Sequence, residues 1–323
     1  NFVFFKNKLK LDATYYKSST YNQFFDLPLP ASSGYTNVIV NGGRVDNKGV
    51  ELSLRYDDTF GDFGWNSYLT YSLNRNEVVE LLRGWKNPKN GEIYSITEQD
   101  LGGATDMYKM RAVEGRPLGD IYVTTLRTDE HGAIYVDSNE KTVVAEPNKW
   151  VYAGNSSPKY NLSWGNTLTW KGIALNFLLS ARVGGIVVSQ TQAVLDAFGA
   201  SQATADARDA GGALVNGKRI PAQQYYATVG GGAKGGVGSV YVYSATNVRL
   251  AELNVSYDLP VRKWCNWIKG LNVGFTGKNL FLLYKKAPFD PELTASTGSY
   301  FQGIDYFMMP SLRNLGFSVK VRF

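Results

Sequence analysis

The segment Asn314-Leu315-Gly316-Phe317-Ser318-Val319-Lys320-Val321-Arg322-Phe323 decides how the rest of the chain is read. Leu315, Phe317, Val319, Val321 and Phe323 occupy every second position, and Asn314, Gly316, Ser318, Lys320 and Arg322 fill the positions between. In a β-strand successive side chains point to opposite faces. One face of this segment is therefore wholly apolar and the other wholly polar, and the segment closes on an aromatic ring.

The same period of two returns upstream. Leu9, Leu11, Ala13 and Tyr15 alternate with Lys10, Asp12, Thr14 and Tyr16. Val50, Leu52, Leu54 and Tyr56 alternate with Glu51, Ser53 and Arg55. Further copies run through 65–74, 175–182, 253–259 and 271–276, and 159–171 follows the pattern more loosely. A soluble sandwich alternates in the same way, with its apolar side inward. Three features favour a membrane barrel. The strands reach about ten residues, the length a tilted strand needs to cross the hydrocarbon layer. Tyr, Trp and Phe recur at strand ends, where interfacial girdles lie. Connections alternate between short and very long, as periplasmic turns and extracellular loops do.

The expected fold is thus all-β, a transmembrane antiparallel β-barrel with long extracellular loops. The short connections 57–61, 171–172 and 260–270 are expected in the periplasm, and 18–44, 77–158, 185–245 and 285–311 outside. This order leaves Phe323 at the periplasmic rim. Eight strands follow from the alternation. The runs 110–122 and 133–137 fit either two more transmembrane strands or a hairpin above the membrane, since strand parity allows both. Such long loops suit a piece of a 22-stranded plugged barrel better than a minimal eight-stranded one.

Composition agrees. Aromatic residues make up 14% of the 323 positions and Gly contributes 34, which favours strands and turns over helical bundles. No run of about 18 apolar residues marks a transmembrane helix, and a chain that crosses lipid without one has to close into a barrel. The net charge of +6 is dispersed, without the Lys/Arg block of a nucleic-acid arm, so no nucleic-acid partner is expected. The single cysteine, Cys265, lies beside Trp264 and Trp267 and reads as packing; the single histidine, His131, lies in a polar loop. Neither points to a metal or a cofactor. The chain opens on Asn1-Phe2-Val3-Phe4-Phe5, without Met or a signal sequence, and reads as starting within a longer protein.

Several stretches imitate other chemistry. The Gly-rich run 230–238 resembles a phosphate loop but has no Lys before Ser239, no strand before it and no helix after it; it reads as a flexible loop tip. Asp196, Asp206, Arg208 and Asp209 fall in the helix-prone stretch 191–210 with spacing that no calcium loop uses. Asp129, Glu130 and Asp137 show no sign of the paired carboxylates of a glycosidase. With no Gly-x-Ser-x-Gly elbow and one His, an enzyme is not expected.

Taken in order, a set of motifs resembles the SusC/RagA family of TonB-dependent outer-membrane transporters of Bacteroidetes. These are Asn41-Gly42-Gly43-Arg44-Val45-Asp46-Asn47-Lys48-Gly49-Val50-Glu51-Leu52, Val113-Glu114-Gly115-Arg116-Pro117-Leu118-Gly119, Gly154-Asn155-Ser156-Ser157-Pro158-Lys159-Tyr160, Ala245-Thr246-Asn247-Val248-Arg249-Leu250 with Leu253 to Pro260, and Gly277-Lys278-Asn279-Leu280-Phe281 with Phe289-Asp290-Pro291-Glu292. Together they span nearly the whole chain. Tyr284 to Pro288 departs from the family's usual Gly-containing approach to Asp-Pro-Glu.

The resemblance implies that residues 1–323 are the C-terminal part of one receptor barrel, with the plug domain and first strands upstream. It implies import of a bulky nutrient such as an oligosaccharide or peptide, a SusD-like surface lipoprotein as lid, TonB engaged through the missing part, and the barrel assembly machinery reading Phe323 as its signal. Lumen-facing candidates are Asp12, Arg55, Asn74, Asn176, Arg182, Lys320 and Arg322. Tyr225, Tyr226, Tyr241 and Tyr243 in the loop 185–245 are candidates for docking the lid. The alternatives are a passive porin or a surface-adhesive barrel.

Overall fold

The computed structural model describes residues 1–28, 37–86, 91–139, 141–231, 236–265, 267–293 and 302–323. Nine strands form one antiparallel sheet in chain order: β1 (Phe2–Phe4), β2 (Leu9–Pro28), β3 (Asn37–Phe60), β4 (Phe63–Glu80), β5 (Tyr160–Trp170), β6 (Ile173–Val183), β7 (Asn247–Leu259), β8 (Gly270–Lys285) and β9 (Asn314–Arg322). These are the eight strands expected from the alternation, with the short β1 added at one edge.

Register turns eight separate alternations into one two-faced wall. Residues directly opposite in an antiparallel pair share a face. Phe2 stands opposite Leu11, Leu11 opposite Leu54, Leu54 opposite Leu69, Leu69 opposite Trp164, and Trp164 opposite Leu179. Nearer the other edge, Leu175, Val255, Phe275 and Phe317 make a second apolar row. One step along the strands, Thr167, Asn176, Asn254, Thr276 and Gly316 make a polar row on the opposite face. In β7 the phase slips, because Leu250 and Leu253 cannot share a face in a regular strand. Ala251 bulges out of the ladder on both sides and restores the phase.

The short connections are tight. Lys171 and Gly172 join β5 to β6 with φ of 45° and 87°, the left-handed pair that suits the twist of a two-residue hairpin. Gly61 and Asp62 join β3 to β4, so the strand runs through residues 57–60 that the sequence assigns to a turn. The segment 18–44 is likewise mostly strand: β2 and β3 pair from Tyr21 with Arg44 up to Pro28 with Asn37. Only 29–36 of that segment lie outside the described residues.

The long connections fold together as a cap above one end of the wall. Because β4 bonds directly to β5, residues 81–159 add no strand to the wall, and the runs 110–122 and 133–137 lie in the cap. A four-stranded sheet built from Glu98–Thr105, Tyr108–Val113, Asp120–Leu126 and Ala145–Asn155 forms one layer. Three short helices, α1 (Gln190–Ala197), α2 (Gln202–Asp209) and α3 (Ala222–Gly230), pack nearby. Met107, Tyr108, Met110, Ile121, Val123, Val188, Ala193, Val215, Val229, Val237, Tyr241 and Ile304 are all buried in one core. That core therefore draws on 77–158, 185–245 and 285–311 at once. A smaller cluster, Val45, Val78, Leu81 and Ala112, fastens the cap to β3 and β4.

The Gly-rich run 230–238 is a packing device where it is described, not a loose tip. A Cβ on Gly230 would fall 2.4 Å from the Ala193 carbonyl oxygen, and one on Gly238 2.4 Å from that of Met107. Only glycine lets α3 and the following turn approach so closely. Residues 232–235 of the run lie outside the described residues.

The apolar face is the one expected to meet lipid. Val255→Arg or Phe275→Arg should each cost about 2–4 kcal/mol near mid-membrane, and Asn254→Arg or Asn272→Arg far less. Denaturant unfolding of the full-length protein in lipid vesicles measures the difference; equal costs on both faces would reverse the facing.

Candidate transport wall and the cap above it

The polar face of the wall carries all seven lumen candidates. Asp12 stands opposite Ser53, Arg55 opposite Lys10, Asn74 opposite Gly49, Lys320 opposite Asn272 and Arg322 opposite Gly270. The register sets them on the face of Asn176 and Arg182, which stand opposite Asn254 and Asn247. Gly49 has no side chain because the Tyr16 ring lies across it, 2.4 Å from where a Cβ would sit. Two amides are held by neighbours on the same face: Asn74 donates to Asn47 Oδ1 at 3.3 Å and Asn176 to Thr167 Oγ1 at 3.2 Å. The seven do not converge on one point. They are spread over five strands, as lining residues are.

At the cap end of this face the chain builds an ion cluster. Arg249 on β7 donates from Nη2 to Asp290 Oδ1 at 2.8 Å and lies 2.9 Å from Glu292 Oε2. Asn247 donates to Glu292 Oε1 at 3.1 Å, and the Asp290 carboxylate also accepts from Ser311 Oγ and from the Glu292 N–H. Arg182, across from Asn247, donates to the Ser156 carbonyl at 2.7 Å. Arg249 and Asp290 are each 8% exposed. Burial alone would raise the Asp290 carboxyl. Ser311, the Glu292 N–H and Arg249 together outweigh it and hold the group below the usual carboxylate range. The cluster ties three motifs 40 residues and more apart in sequence to one spot, and anchors the connection 285–311 to the wall.

The four tyrosines of the lid-docking set serve the cap's own packing. Tyr241 is 1% exposed and donates to Asp196 Oδ2 at 3.1 Å, so it has no surface to offer a partner. Tyr225 and Tyr226 stack edge-to-face at 5.0 Å, and Tyr226 donates to the Ala203 carbonyl. Tyr243 meets Phe289 at 5.5 Å, and burial pushes its hydroxyl up to about 12. The large apolar groups that α1 leaves open are Leu195 and Phe198, 37% and 76% exposed, and Phe307 beyond the Thr191 contact is 55% exposed. Phe323 stacks on Trp267 with centroids 5.7 Å apart and is 69% exposed. His131 lies exposed in a turn whose N–H groups are held by Asp129.

Sequence reasoning missed a ladder of cations on rings across the cap sheet: Lys109 over Trp150 at 4.2 Å, Arg111 over Tyr122 at 4.8 Å and Arg116 over Tyr152 at 4.1 Å. No spacing in the sequence announces it, because the pairs come from different strands. Lys109 and Arg111 are also held by Asp100, and Arg116 by the buried Asp120.

No family model matches the chain. Among curated proteins it is 25% identical over 346 residues to TonB-dependent receptor P3 of Formosa agariphila, and 23% identical over 354 residues to TonB-dependent receptor P26 of the same organism. Each match takes in 99% of this chain and 33% of the relative. Among solved structures, one of the RagAB peptide transporter superposes with a TM-score of 0.63 at 17% identity, over 98% of this chain and 33% of that one. The RagAB peptide importer in its open-open state gives 0.65 at 18%, over 99% and 33%. The chain therefore spans about a third of the length of the proteins it matches. The likeness to SusC/RagA-like TonB-dependent transporters holds across the barrel portion, and so does the all-β antiparallel barrel with long segments at one end.

Arg249→Met leaves two carboxylates of the ion cluster without their cation, one of them buried, and should cost roughly 3 kcal/mol of local stability. Hydrogen exchange in 286–293 and 302–305 should speed up while the wall stays protected. A carboxylate held low in the folded state stabilises fully above its unfolded value, near 3.9, and ceases to as pH falls through the folded value. Exchange in 286–293 should therefore accelerate on acidification below about pH 4, and Asp290→Asn should remove that dependence.

Proposed function

We propose that this chain is barrel wall and extracellular cap of a TonB-dependent importer in the outer membrane of a Gram-negative bacterium, taking up a bulky nutrient such as an oligosaccharide or a peptide. The observation that carries this reading is the cross-strand register, which lines up apolar rows such as Leu11, Leu54, Leu69, Trp164 and Leu179 on one face and polar rows such as Thr167, Asn176, Asn254 and Thr276 on the other. Lipid meets the first, and the second lines the lumen, with Asp12, Arg55, Asn74, Asn176, Arg182, Lys320 and Arg322 among its lining residues. The curated TonB-dependent receptors that the chain resembles along its whole length support active import over a passive porin.

In this reading residues 1–323 are part of a single barrel domain, completed to about 22 strands by the rest of the protein. A plug there engages TonB, and the barrel assembly machinery reads Phe323. A SusD-like surface lipoprotein closes over the cap. The exposed Leu195 on α1 and Phe198 at its C-terminal cap suit such a lid better than the packed tyrosines do, because they offer apolar area without taking it from the core.

Uptake by cells carrying the full-length protein should stop when TonB is deleted or the proton gradient is collapsed. Uptake that persists without TonB would favour the passive porin. Leu195→Asp combined with Phe198→Asp should leave the barrel assembled and reduce co-purification of the lipoprotein by tenfold or more, about the loss expected when an interface core gains charge. Unchanged co-purification would remove α1 from the lid contact.

A further inference from the structure

On the apolar face the character of the wall changes abruptly toward the cap. The row formed by Tyr15, Val50 and Leu73 is the last apolar one on β2, β3 and β4. The next row, about 6–7 Å further along, is Lys17 opposite Lys48 and Lys48 opposite Arg75. All three are exposed. Neighbouring side chains in such a row lie about 5 Å apart, and like charges placed so repel. One row higher, Asp46 and Glu77 offer carboxylates, but Asp46 is already gripped by Arg44 through two contacts of 2.7 Å. The row keeps an excess of positive charge.

The wall also opens at this level. β4 and β5 pair from Phe63 with Trp170 up to Ser72 with Asn161 and no further. Where they part, a cleft of about 850 Å³ is lined by Lys17, Lys48, Arg75, Lys159, Asn155 and Ser157, and is bordered by Asn74 of the polar face. Four cations thus flank a recess at the boundary between apolar wall and cap, against two carboxylates in the same lining, Asp46 and Glu77.

We propose that this cleft binds the phosphate groups of an anionic lipid of the outer leaflet, with the acyl chains lying down the apolar rows beneath. Both halves of such a molecule find a partner: phosphate meets the ammonium groups and the Arg75 fork, and hydrocarbon meets Tyr15, Val50 and Leu73. Free phosphate would use only the first half. The inference rests on the reading of the apolar face as lipid-facing.

The test uses the full-length receptor, with phosphatidylcholine vesicles doped with bisphosphorylated lipid A as the probe and native mass spectrometry after detergent exchange as the readout. The wild type should retain the phosphorylated lipid. The variant combining Lys17→Ala, Lys48→Ala and Arg75→Ala should bind it on the order of a hundredfold more weakly, about fivefold for each cation removed near a lipid surface. A control combining Lys141→Ala, Lys218→Ala and Lys286→Ala, with the same charge change on the cap, should bind as the wild type does. Dephosphorylated lipid A should be retained poorly, and inorganic phosphate should not displace the bound lipid. Equal binding by the cleft variant, equal retention of the dephosphorylated lipid, or displacement by inorganic phosphate would each overturn the proposal. Lys48→Gln alone provides a milder variant if the triple one fails to assemble. Heat-modifiable migration in the outer-membrane fraction separates the two levels: a receptor that inserts and holds no lipid sinks this site alone, and one that does not insert sinks the membrane reading as well.

Discussion

A shift of one residue in the pairing of any two wall strands would carry a whole strand's side chains to the wrong face. The structure depends on that not happening at eight successive seams. Backbone hydrogen bonds alone do not prevent it, since each register offers nearly the same number. What selects the register is the match of apolar to apolar across each pair, from Phe2 against Leu11 at one edge to Phe275 against Phe317 at the other. Tight turns such as Lys171-Gly172 fix it at the ends, and the bulge at Ala251 brings Leu250 and Leu253 onto one face.

The polar face is built on a different principle. Its groups are held by neighbours on the same face: Asn66 donates to Asp57, Asn272 to Asp258, and Lys278 lies 3.5 Å from Glu252. Near the cap, Arg249 draws Asp290 and Glu292 out of a long connection and onto the wall. A buried ion pair contributes little net stability compared with an apolar substitute, yet it punishes any rearrangement that separates its members. Here that property places the start of 285–311 at one position above β7 and β8, so that a long connection has a defined seat.

How far the sequence could be read follows from what drives each part to fold. The wall strands showed themselves because lipid-facing and lumen-facing residues must alternate, and Leu315 to Phe323 carries that demand without exception. The extension of β2 and β3 through Lys17, Ser19 and Tyr21 against Lys48, Asp46 and Arg44 did not, because both faces are polar beyond the apolar band and alternation has nothing to contrast. The cap was opaque for another reason. Its core joins Tyr108, Tyr241 and Ile304, which belong to three connections, and no local window holds enough of them to show a period. The helix-prone stretch 191–210 was visible and became α1 and α2, but α3 and the close packing of Gly230 were hidden behind the appearance of a flexible glycine run. In the candidate site, Arg249, Asp290 and Glu292 stood out only as pieces of separate motifs; their meeting is a fact of topology.

The bond from the Tyr108 hydroxyl to the Gln302 carbonyl, 2.6 Å long, joins residues 194 positions apart. Ser189 and Asp305 make another such link across 116 positions, both groups buried. Contacts of this span close late in folding, since the chain between must be ordered before they return any stabilisation. The cap core lacks Ile304 until the hairpin of β8 and β9 has placed its connection, and β9 is the last strand in chain order. Completion of the cap is thereby coupled to completion of the wall. A chain stalled short of β9 would hold an unfinished core with apolar residues open to water, a state that chaperones and proteases can distinguish from the finished one.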